Sequence, residues 1–279
     1  MTIRGIDISK HNGAIDFKKV KNDGIEFAMI RAGFGSDTVD TYFHRNIKEA
    51  KANGIKCGVY WFSYAYTPQM AKKEAQKCIE TIKQYSLDYP VAFDFEYASV
   101  NYAKDNGVNI TKALASQIAD TFLMAVKNAG YNVILYTNID YYQNYFNDTV
   151  KNKYDIWLAA YRDTKPNLNQ KIWQYSEKGS VDGIKGRVDM NISYYQTAKN
   201  KPTRSVKSVD ITLPLLQVNS KGNSVKAIQQ LLNARGFSCG TADGIFGEKT
   251  RNAVLQYQKT MKITADGVVG KNTYNTLLR

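Results

Sequence analysis

The first 195 residues alternate between two patterns of apolar and polar positions. Short apolar runs with β-strand character are separated by stretches with the three-to-four-residue spacing of an amphipathic helix. This alternation indicates an α/β fold with a mostly parallel sheet, open or closed into a barrel, and the closely spaced last strands argue against a regular eightfold barrel. Strands are predicted at Ile3–Ile8, Phe27–Ala32, Lys56–Phe62, Val91–Phe95, Asn132–Thr137, Ile156–Ala160, Ile172–Tyr175 and Val188–Ile192. Helices are predicted at Tyr42–Ala52, Pro68–Tyr85 and Thr111–Ala129.

Two carboxylates stand two positions apart in the otherwise apolar segment Pro90–Glu96. Residues i and i+2 of a strand face the same way, with Cα atoms roughly 7 Å apart, so Asp94 and Glu96 should project together. Carboxylates are costly to bury without a partner or a function, and such a pair can cleave a glycosidic bond. A strand end with two solvated or ion-paired acids is the alternative. Asp7 and Asp189 also fall late in their predicted strands, where active sites of such folds lie.

A different pattern follows residue 196. Residues 197–213 are polar and lack periodic apolar positions, which predicts a linker. The segment Asp243–Thr250 then recurs 23 residues later as Asp266–Thr273, each copy being an Asp-Gly turn followed by a helix start. We therefore predict a barrel domain over residues 1–196 and a small all-α repeat domain over residues 214–279. Its three helices are predicted at Ser224–Ala234, Lys249–Thr260 and Lys271–Leu278.

Composition and charge narrow the possible functions. Apolar residues make up 43% of the chain, as in packed globular proteins, and no apolar stretch is long enough to span a membrane. Residues 196–279 carry 13 Lys or Arg against 4 Asp or Glu, and this surplus predicts an anionic partner, with a basic surface that binds nothing as the alternative. The N-terminus does not resemble a secretory signal, so we expect synthesis in the cytoplasm. Three Cys without metal-ligand spacing and two His argue against a zinc site, and we expect no metal or cofactor.

Eight short segments, in order along residues 3–195, resemble those of family 25 glycoside hydrolases, the lysozymes that cut peptidoglycan. One departure is Asn12, which stands where the family often has Gln before Gly. The C-terminal part resembles the small repeat-containing peptidoglycan-binding domain of many cell-wall hydrolases, through Gly222–Leu232 and the two Asp-Gly turns. Asn12-Gly13 and Ile15–Phe17 count as one segment. The segments that resemble the glycoside hydrolases are Gly5–Ser9, Asn12-Gly13, Ile15–Phe17, Phe27–Ala32, Gly58–Ser63, Asp94–Glu96, Ile156–Tyr161, Ile172–Tyr175 and Val188–Asn191.

The resemblance implies an irregular, flattened (β/α)5β3 barrel of eight strands with about five helices. It also implies that Glu96 is the general acid that protonates the leaving oxygen, which requires a pKa raised by burial and by Asp94. Asp94 would either attack the anomeric carbon or stabilise the substrate's own N-acetyl group as the nucleophile, and we prefer the second role. The close spacing of the pair favours retention of configuration. Asp7 and Asp189 would be two further acids of the groove.

Aromatic side chains should form the sugar platform, because the CH faces of pyranoses pack on rings. Arg31 is expected to bind an acid of the cluster or a peptide carboxylate, and a structural salt bridge is its alternative. The aromatic candidates, each of which could instead belong to the core, are Tyr60, Trp61, Phe62, Tyr64, Tyr136, Trp157, Tyr161 and Trp173, with Tyr60, Trp157 and Trp173 preferred.

Together these features resemble a phage or prophage endolysin, released by a holin, that cuts the β-1,4 bond between N-acetylmuramic acid and N-acetylglucosamine. Its C-terminal domain would bind peptidoglycan and the anionic polymers of the wall. Three alternatives remain: a cell-wall lectin with an inactive site, an N-acetylglucosaminidase or chitinase, and a nucleic-acid-binding protein. The last lacks the interleaved basic and aromatic residues that this role needs. Neither a nucleic acid partner nor membrane insertion is therefore expected.

Overall fold

Eight strands of the N-terminal unit close into a barrel. The computed structural model describes residues 2–195 and 214–277, which belong to two separate units. The strands of the first unit are β1 Ile3–Ile8, β2 Phe27–Phe34, β3 Thr38–Val39, β4 Lys56–Phe62, β5 Val91–Asp94, β6 Val133–Asn138, β7 Asp155–Ala159, β8 Gln170–Gly179 and β9 Val188–Ser193. Its helices are α1 Phe17–Asn22, α2 Phe43–Ala52, α3 Pro68–Ile82, α4 Tyr97–Asp105, α5 Lys112–Asn128, α6 Ile139–Asn144 and α7 Asp148–Lys153.

The barrel is irregular in one place. Strands β1, β2, β4, β5, β6, β7 and β8 follow one another in parallel, and β9 closes the ring by pairing antiparallel with both β8 and β1. Strand β3 has only two residues and pairs with β2 at its edge. The predicted eight-stranded α/β barrel is thus confirmed, and its irregularity arises because β9 follows β8 through a loop instead of a crossover helix.

The two faces of the barrel strands pack differently. Residues that face the interior form one apolar cluster near the N-terminal ends of the parallel strands, with Phe27, Met29 and Ile172 among them. Gly5 also faces this interior, where a Cβ atom would overlap the ring of Phe27. Outward-facing residues, such as Phe93, pack beneath the helices in a larger cluster. The apolar filling therefore separates the two ends of the barrel.

The missed elements are the shortest ones. Helices α1, α4, α6 and α7 have nine residues or fewer, too few for a clear helical period, and the two-residue β3 shows no alternation. Seven predicted strands match the observed ones to within two residues, and β8 is longer than predicted at both ends. None of the helices in the described ranges is long and apolar enough to cross a membrane.

The C-terminal unit is built on three helices, α8 Asn223–Ala234, α9 Glu248–Thr260 and α10 Lys271–Leu277. They surround a small core that includes Leu232, Val254 and Leu277. The predicted linker, residues 197–213, lies outside the described residues, so its boundaries stay predictions.

A buried glutamine holds each copy of the internal repeat. The Gln229 amide nitrogen donates to Asp243 Oδ1, the Ile245 carbonyl and Thr250 Oγ1 at 2.9–3.1 Å, and its oxygen accepts from the Gly244 N–H at 2.8 Å. In the second copy Gln258 makes the same four contacts with Asp266, Val268, Thr273 and Gly267, all within 3.0 Å. The two copies of the repeat therefore share the same hydrogen bonds as well as the same turn.

Candidate active site

A cavity of about 280 Å³ opens at the C-terminal end of the parallel strands and is lined by all four predicted acids. Asp7 lies near the end of β1, Asp94 is the last residue of β5, and Glu96 directly precedes α4. Asp189 was expected late in its strand, but it is the second residue of β9. It reaches the same end because β9 runs antiparallel, which places it directly opposite Asp7 in the sheet register.

Further residues complete the wall of this cavity. Five of them belong to the predicted set: Arg31, Tyr60, Phe62, Tyr136 and Trp157. Sequence reasoning assigned no role in the site to the others, which are Ile8, Ser9, His11, Asn12, Gln174, Arg187 and Val188. Residues 2–195 and 214–277 contain no group of three or more His, Cys, Asp or Glu side chains that could hold a metal ion.

Two amides hold the Asp7 carboxylate in place. Its Oδ2 accepts hydrogen bonds from the Gln174 amide at 2.8 Å and from the Asn191 amide at 2.7 Å. The oxygens of these amides accept in turn from the Tyr136 hydroxyl at 3.0 Å and from the Trp157 indole N–H at 2.8 Å. Asp7 is thus at the centre of a network that spans β1, β6, β7, β8 and β9.

The sequence carried a signal for both amides. Gln174 is two positions after Ile172, which faces the barrel interior, and Asn191 is two positions after Asp189. In a strand that spacing keeps side chains on one face, so both amides had to face inward. Applying the two-residue period to every strand would have identified them.

Asp94 and Glu96 project into the cavity because the residue between them points the other way. Phe95 is buried in the outer cluster, and its ring stacks 6.0 Å from that of Phe93. The Ser63 N–H donates to the Asp94 carbonyl at 2.8 Å, which ties the end of β5 to the loop after β4. The Oδ1 atom of Asp94 is buried and accepts no hydrogen bond from the described residues. A buried carboxylate oxygen without a donor is costly, so a substrate donor has a place to bind here.

The pair Asp94 and Glu96 is held in surroundings that disfavour charge. Burial raises the pKa of Asp94 well above its usual value, Glu96 and Asp7 add to the rise, and Arg31 opposes it. Burial also raises the pKa of Glu96, against a hydrogen bond from Tyr136. The surroundings of both acids thus shift them toward the protonated form.

A second pair of acids lies across the cavity. Burial, followed by the charge of Asp189, raises the pKa of Asp7 well above its usual value, although the amides of Asn191 and Gln174 stabilise its charge. Burial likewise raises the pKa of Asp189, and a hydrogen bond with Asp7 lowers it. The cavity therefore holds two carboxyl pairs, both shifted toward the protonated form.

Arg31 forms the structural salt bridge that was its alternative role. Its Nε donates to Asp40 Oδ2 at 2.8 Å, and the Asp40 side chain is only 1% exposed. Asp40 also accepts from the backbone N–H groups of Lys10 and Tyr42. Because Arg31 lines the cavity as well, its charge lowers the pKa of Asp94. Asp40 carried no motif, so sequence reasoning missed it.

Four predicted aromatics line the cavity, Tyr60, Phe62, Tyr136 and Trp157, but those around Trp157 do not form an open platform. Trp157 is 1% exposed, and its ring lies 4.7 Å from that of Tyr136 and 6.1 Å from that of Tyr60. Its contact with the network is the indole N–H bond to Asn191. These rings line the cavity and position polar groups such as the Asn191 amide.

Trp61 and Trp173 lie outside the cavity, which corrects the prediction for both. Trp61 is fully buried and Trp173 is 4% exposed, in the cluster beneath the helices, where their indole N–H groups donate to the carbonyls of Gly35 and Ala160. Each follows or precedes an inward-facing residue, so the two-residue period turns it outward. A sugar ring cannot reach either of them.

Tyr64 and Tyr161 lie beside the cavity without lining it. Tyr161 is 54% exposed, and its hydroxyl donates to the Gln174 side chain at 3.2 Å. Tyr64 follows β4 and packs against Phe62 and Tyr102 with ring centroids 5.1 and 5.2 Å apart. Both remain candidates for contacts with a bound polymer at the mouth.

Comparison with known proteins agrees with this geometry. Residues 6–184 match the family model of glycosyl hydrolases family 25, and residues 221–277 match that of a peptidoglycan binding domain. The autolytic lysozyme of Clostridium acetobutylicum is 32% identical over 267 residues, which cover 94% of this chain and 74% of that protein.

Two solved structures share the barrel. One is the autolysin LytC of Streptococcus pneumoniae, solved with a synthetic peptidoglycan ligand. It is 33% identical to this chain, with a TM-score of 0.61. The match covers 69% of this chain and 47% of LytC, so this chain spans about half the length of LytC. A family 25 glycosyl hydrolase of Bacillus anthracis is 27% identical with a TM-score of 0.59, over 70% of this chain and 89% of its own. The family model covers most of the barrel, and the Clostridium acetobutylicum lysozyme is similar over 94% of this chain. The chain therefore belongs to glycosyl hydrolases family 25.

Proposed function

We propose that this chain hydrolyses the β-1,4 bond between N-acetylmuramic acid and N-acetylglucosamine in bacterial peptidoglycan, with retention of configuration. The observation that carries the proposal is the cavity in which two carboxyl pairs meet at one end of a family 25 barrel. The match of residues 221–277 to a peptidoglycan binding domain supports the same substrate.

The unpartnered oxygen of Asp94 supports a substrate-assisted route. An acetamido N–H that donates to Asp94 Oδ1 would favour the ionised form of Asp94, while Glu96, whose pKa is raised by burial, would keep its proton. Glu96 then protonates the glycosidic oxygen as the bond to the anomeric carbon breaks. The acetamido oxygen attacks that carbon from the other side, and Asp94 stabilises the positive charge that develops on the amide.

Water completes the reaction. Glu96, now a carboxylate, removes a proton from a water molecule that attacks the anomeric carbon, and the bond to the acetamido oxygen breaks. Two successive inversions give overall retention. Asp7, held by Gln174 and Asn191, and its neighbour Asp189 would position the acetamido group or the water.

The C-terminal unit would hold the enzyme on its insoluble substrate and raise the local concentration of the barrel there. Its surplus of Lys and Arg would add attraction to anionic wall polymers. The predicted role as a phage endolysin, and release by a holin, stay predictions, because an autolytic lysozyme is equally a relative of this chain.

Product analysis tests the proposal. Purified Gram-positive peptidoglycan is digested with the protein, the fragments are reduced with borohydride, and the reduced sugar is identified by mass spectrometry. Reduced N-acetylmuramic acid is the expected result. Reduced N-acetylglucosamine would mean that the enzyme cuts the other bond, and an absence of new reducing ends with the protein still bound would favour a lectin.

A further inference from the structure

Aromatic side chains continue from the catalytic cavity onto the surface beside it. We define this aromatic ridge as Phe62, Tyr64, Tyr66 and Tyr102. Phe62 lines the cavity, and its ring centroid lies 5.1 Å from that of Tyr64. Tyr64 lies 5.2 Å from Tyr102, and Tyr66 lies 6.1 Å from Tyr102. The four rings thus form one unbroken series that begins in the cavity.

The ridge is open to solvent. Tyr102 is 43% exposed, and the other three rings are half-buried. Large aromatic surfaces left in contact with water are costly, and adjacent ones next to a cavity mark a binding surface. None of the four side chains carries a formal charge at neutral pH, so the ridge fits a neutral ligand with apolar faces better than a charged one.

The ridge is attached rigidly to both catalytic acids. The Tyr64 N–H donates to Glu74 Oε1 at 3.0 Å, and Glu74 is a buried residue of α3. The neighbouring Ser63 N–H donates to the carbonyl of Asp94. Helix α4, which carries Tyr102, begins directly after Glu96. A ring system fixed in this way can bind a ligand without first becoming ordered.

We propose that the aromatic ridge is a subsite for additional sugar rings of the glycan strand, beyond those held in the catalytic cavity. The inference rests on the proposed function, because the occupant is the same strand that enters the cavity. Continuity with the cavity and lack of charge favour the sugar rings over the peptide stems, whose carboxylates and amines would find no counter-charge on these rings. Pyranose CH faces would pack on Tyr102 and Tyr64.

Hydrolysis of substrates of two lengths tests the ridge. The probes are a tetrasaccharide and a longer oligosaccharide of alternating N-acetylglucosamine and N-acetylmuramic acid. Both are free of peptide, their lactyl carboxyl groups are capped as amides so that they are neutral, and each is treated with the full-length protein. For Tyr102→Ala we expect KM to rise about three- to tenfold for the long substrate, with kcat unchanged and with both constants unchanged for the tetrasaccharide. Tyr102→Phe keeps the ring and should restore the wild-type KM.

The control is Tyr85→Ala, which removes a half-buried tyrosine from the loop that leads into β5 at the other end of the barrel. It should leave KM unchanged for both lengths. Equal effects of Tyr102→Ala on the two substrates, or none on the longer one, would overturn the ridge while leaving the hydrolase intact. Failure of the wild-type protein to cut either oligosaccharide would instead contradict the proposed function.

Discussion

A polar site in each unit of this chain shows a different way of burying a polar side chain. In the C-terminal unit Gln229 and Gln258 are both about 1% exposed, and each makes four hydrogen bonds through its amide. In the barrel Asp94 is nearly as buried, yet one of its oxygens has no donor among the described residues. Satisfied polar groups stabilise a fold, whereas unsatisfied ones reduce stability and indicate that a ligand completes them.

The acids of the two units differ in the same sense. Hydrogen bonds in the turns, from Gln229 to Asp243 and from the Val268 N–H to Asp266, lower the pKa of both aspartates. In the barrel, burial raises the pKa of all four acids of the cavity. Groups held against their preferred charge state concentrate at functional sites, so the contrast supports the cavity as the place of the chemistry.

The largest expected effect comes from replacing the proposed acid. We expect Glu96→Gln to lower kcat on soluble glycan by about 10²–10⁴-fold, because the amide cannot supply the proton. The free energy of unfolding should stay the same or rise, because the folded state disfavours the charge of Glu96. Reducing-end assays and urea unfolding measure the two quantities.

Glu80→Gln is the matched control, because Glu80 is an exposed glutamate of α3. It should change neither quantity. Wild-type activity in Glu96→Gln would exclude the proposed acid, and a large loss of stability would place Glu96 with the structural polar groups of the other unit.

The next largest effect is on the fold of the C-terminal unit. Gln258→Ala removes four hydrogen bonds and leaves the buried Gly267 N–H without its acceptor, so we expect that unit to lose about 2–4 kcal/mol. Gln256→Ala, on the exposed side of the same helix, should cost far less. Calorimetry measures both.

The three Trp of the chain, Trp61, Trp157 and Trp173, all lie in the barrel, so their fluorescence reports on that unit alone. Their unfolding transition should be unchanged in Gln258→Ala, as should kcat on soluble glycan. A shift in that transition would show that the two units do not unfold independently. Equal losses for Gln258→Ala and Gln256→Ala would contradict the structural role of the buried amide.

The elements and the acids could be predicted because their signals are local. An apolar run gives a strand, and Asp94 and Glu96 are two positions apart within one. The place of Asp189 depends on the direction of β9, a property of the whole barrel, and the prediction reached the right end for the wrong reason. The direction of a strand in the sheet depends on the topology, which composition and residue spacing do not predict.

The side-chain partners were harder to predict. Trp61 and Trp173 were chosen by residue type, and the structure turns both outward, whereas Gln174, beside Trp173, faces the cavity. Asp40 holds Arg31 through a short loop whose position depends on the pairing of β2 with β3. Such contacts arise from tertiary packing, and no periodic pattern in a single sequence predicts them.

Glu74 stands between the two kinds of buried polar group, and its pH dependence shows to which it belongs. Burial raises its pKa from 4.5 to about 7, although Ser63 and Tyr64 donate hydrogen bonds to it. The folded state therefore binds the proton more tightly than the unfolded state does. The stability that Glu74 contributes is complete below pH 4.5 and is lost as the pH rises to 7, a change on the order of 3 kcal/mol.

Urea unfolding followed by tryptophan fluorescence, at pH 5 and at pH 8, measures this change. The wild-type barrel should be less stable at pH 8, and Glu74→Gln should remove the part of the difference that comes from Glu74. The four acids of the cavity change stability in the same direction in both proteins, so they cancel in the comparison. An identical pH dependence in wild type and Glu74→Gln would mean that Glu74 keeps one charge state throughout.

The smallest effect is that of salt, and it separates the charges of the two units. Seven Lys and Arg of residues 214–277 are exposed, whereas the four acids of the cavity are buried or half-buried. The Debye length falls from about 10 Å at 0.1 M salt to about 3 Å at 1 M, so exposed charges are screened and buried ones far less so. The full-length protein should bind purified cell walls several-fold more weakly at the higher salt. Its kcat on a soluble glycan of alternating N-acetylglucosamine and N-acetylmuramic acid, with the lactyl carboxyl groups capped as amides, should stay nearly constant. Co-sedimentation with walls and a reducing-end assay measure the two. Wall binding that does not respond to salt would mean that the C-terminal unit recognises the wall through uncharged groups. A fall in kcat as large as the fall in wall binding would mean that salt screens the acids of the cavity as well.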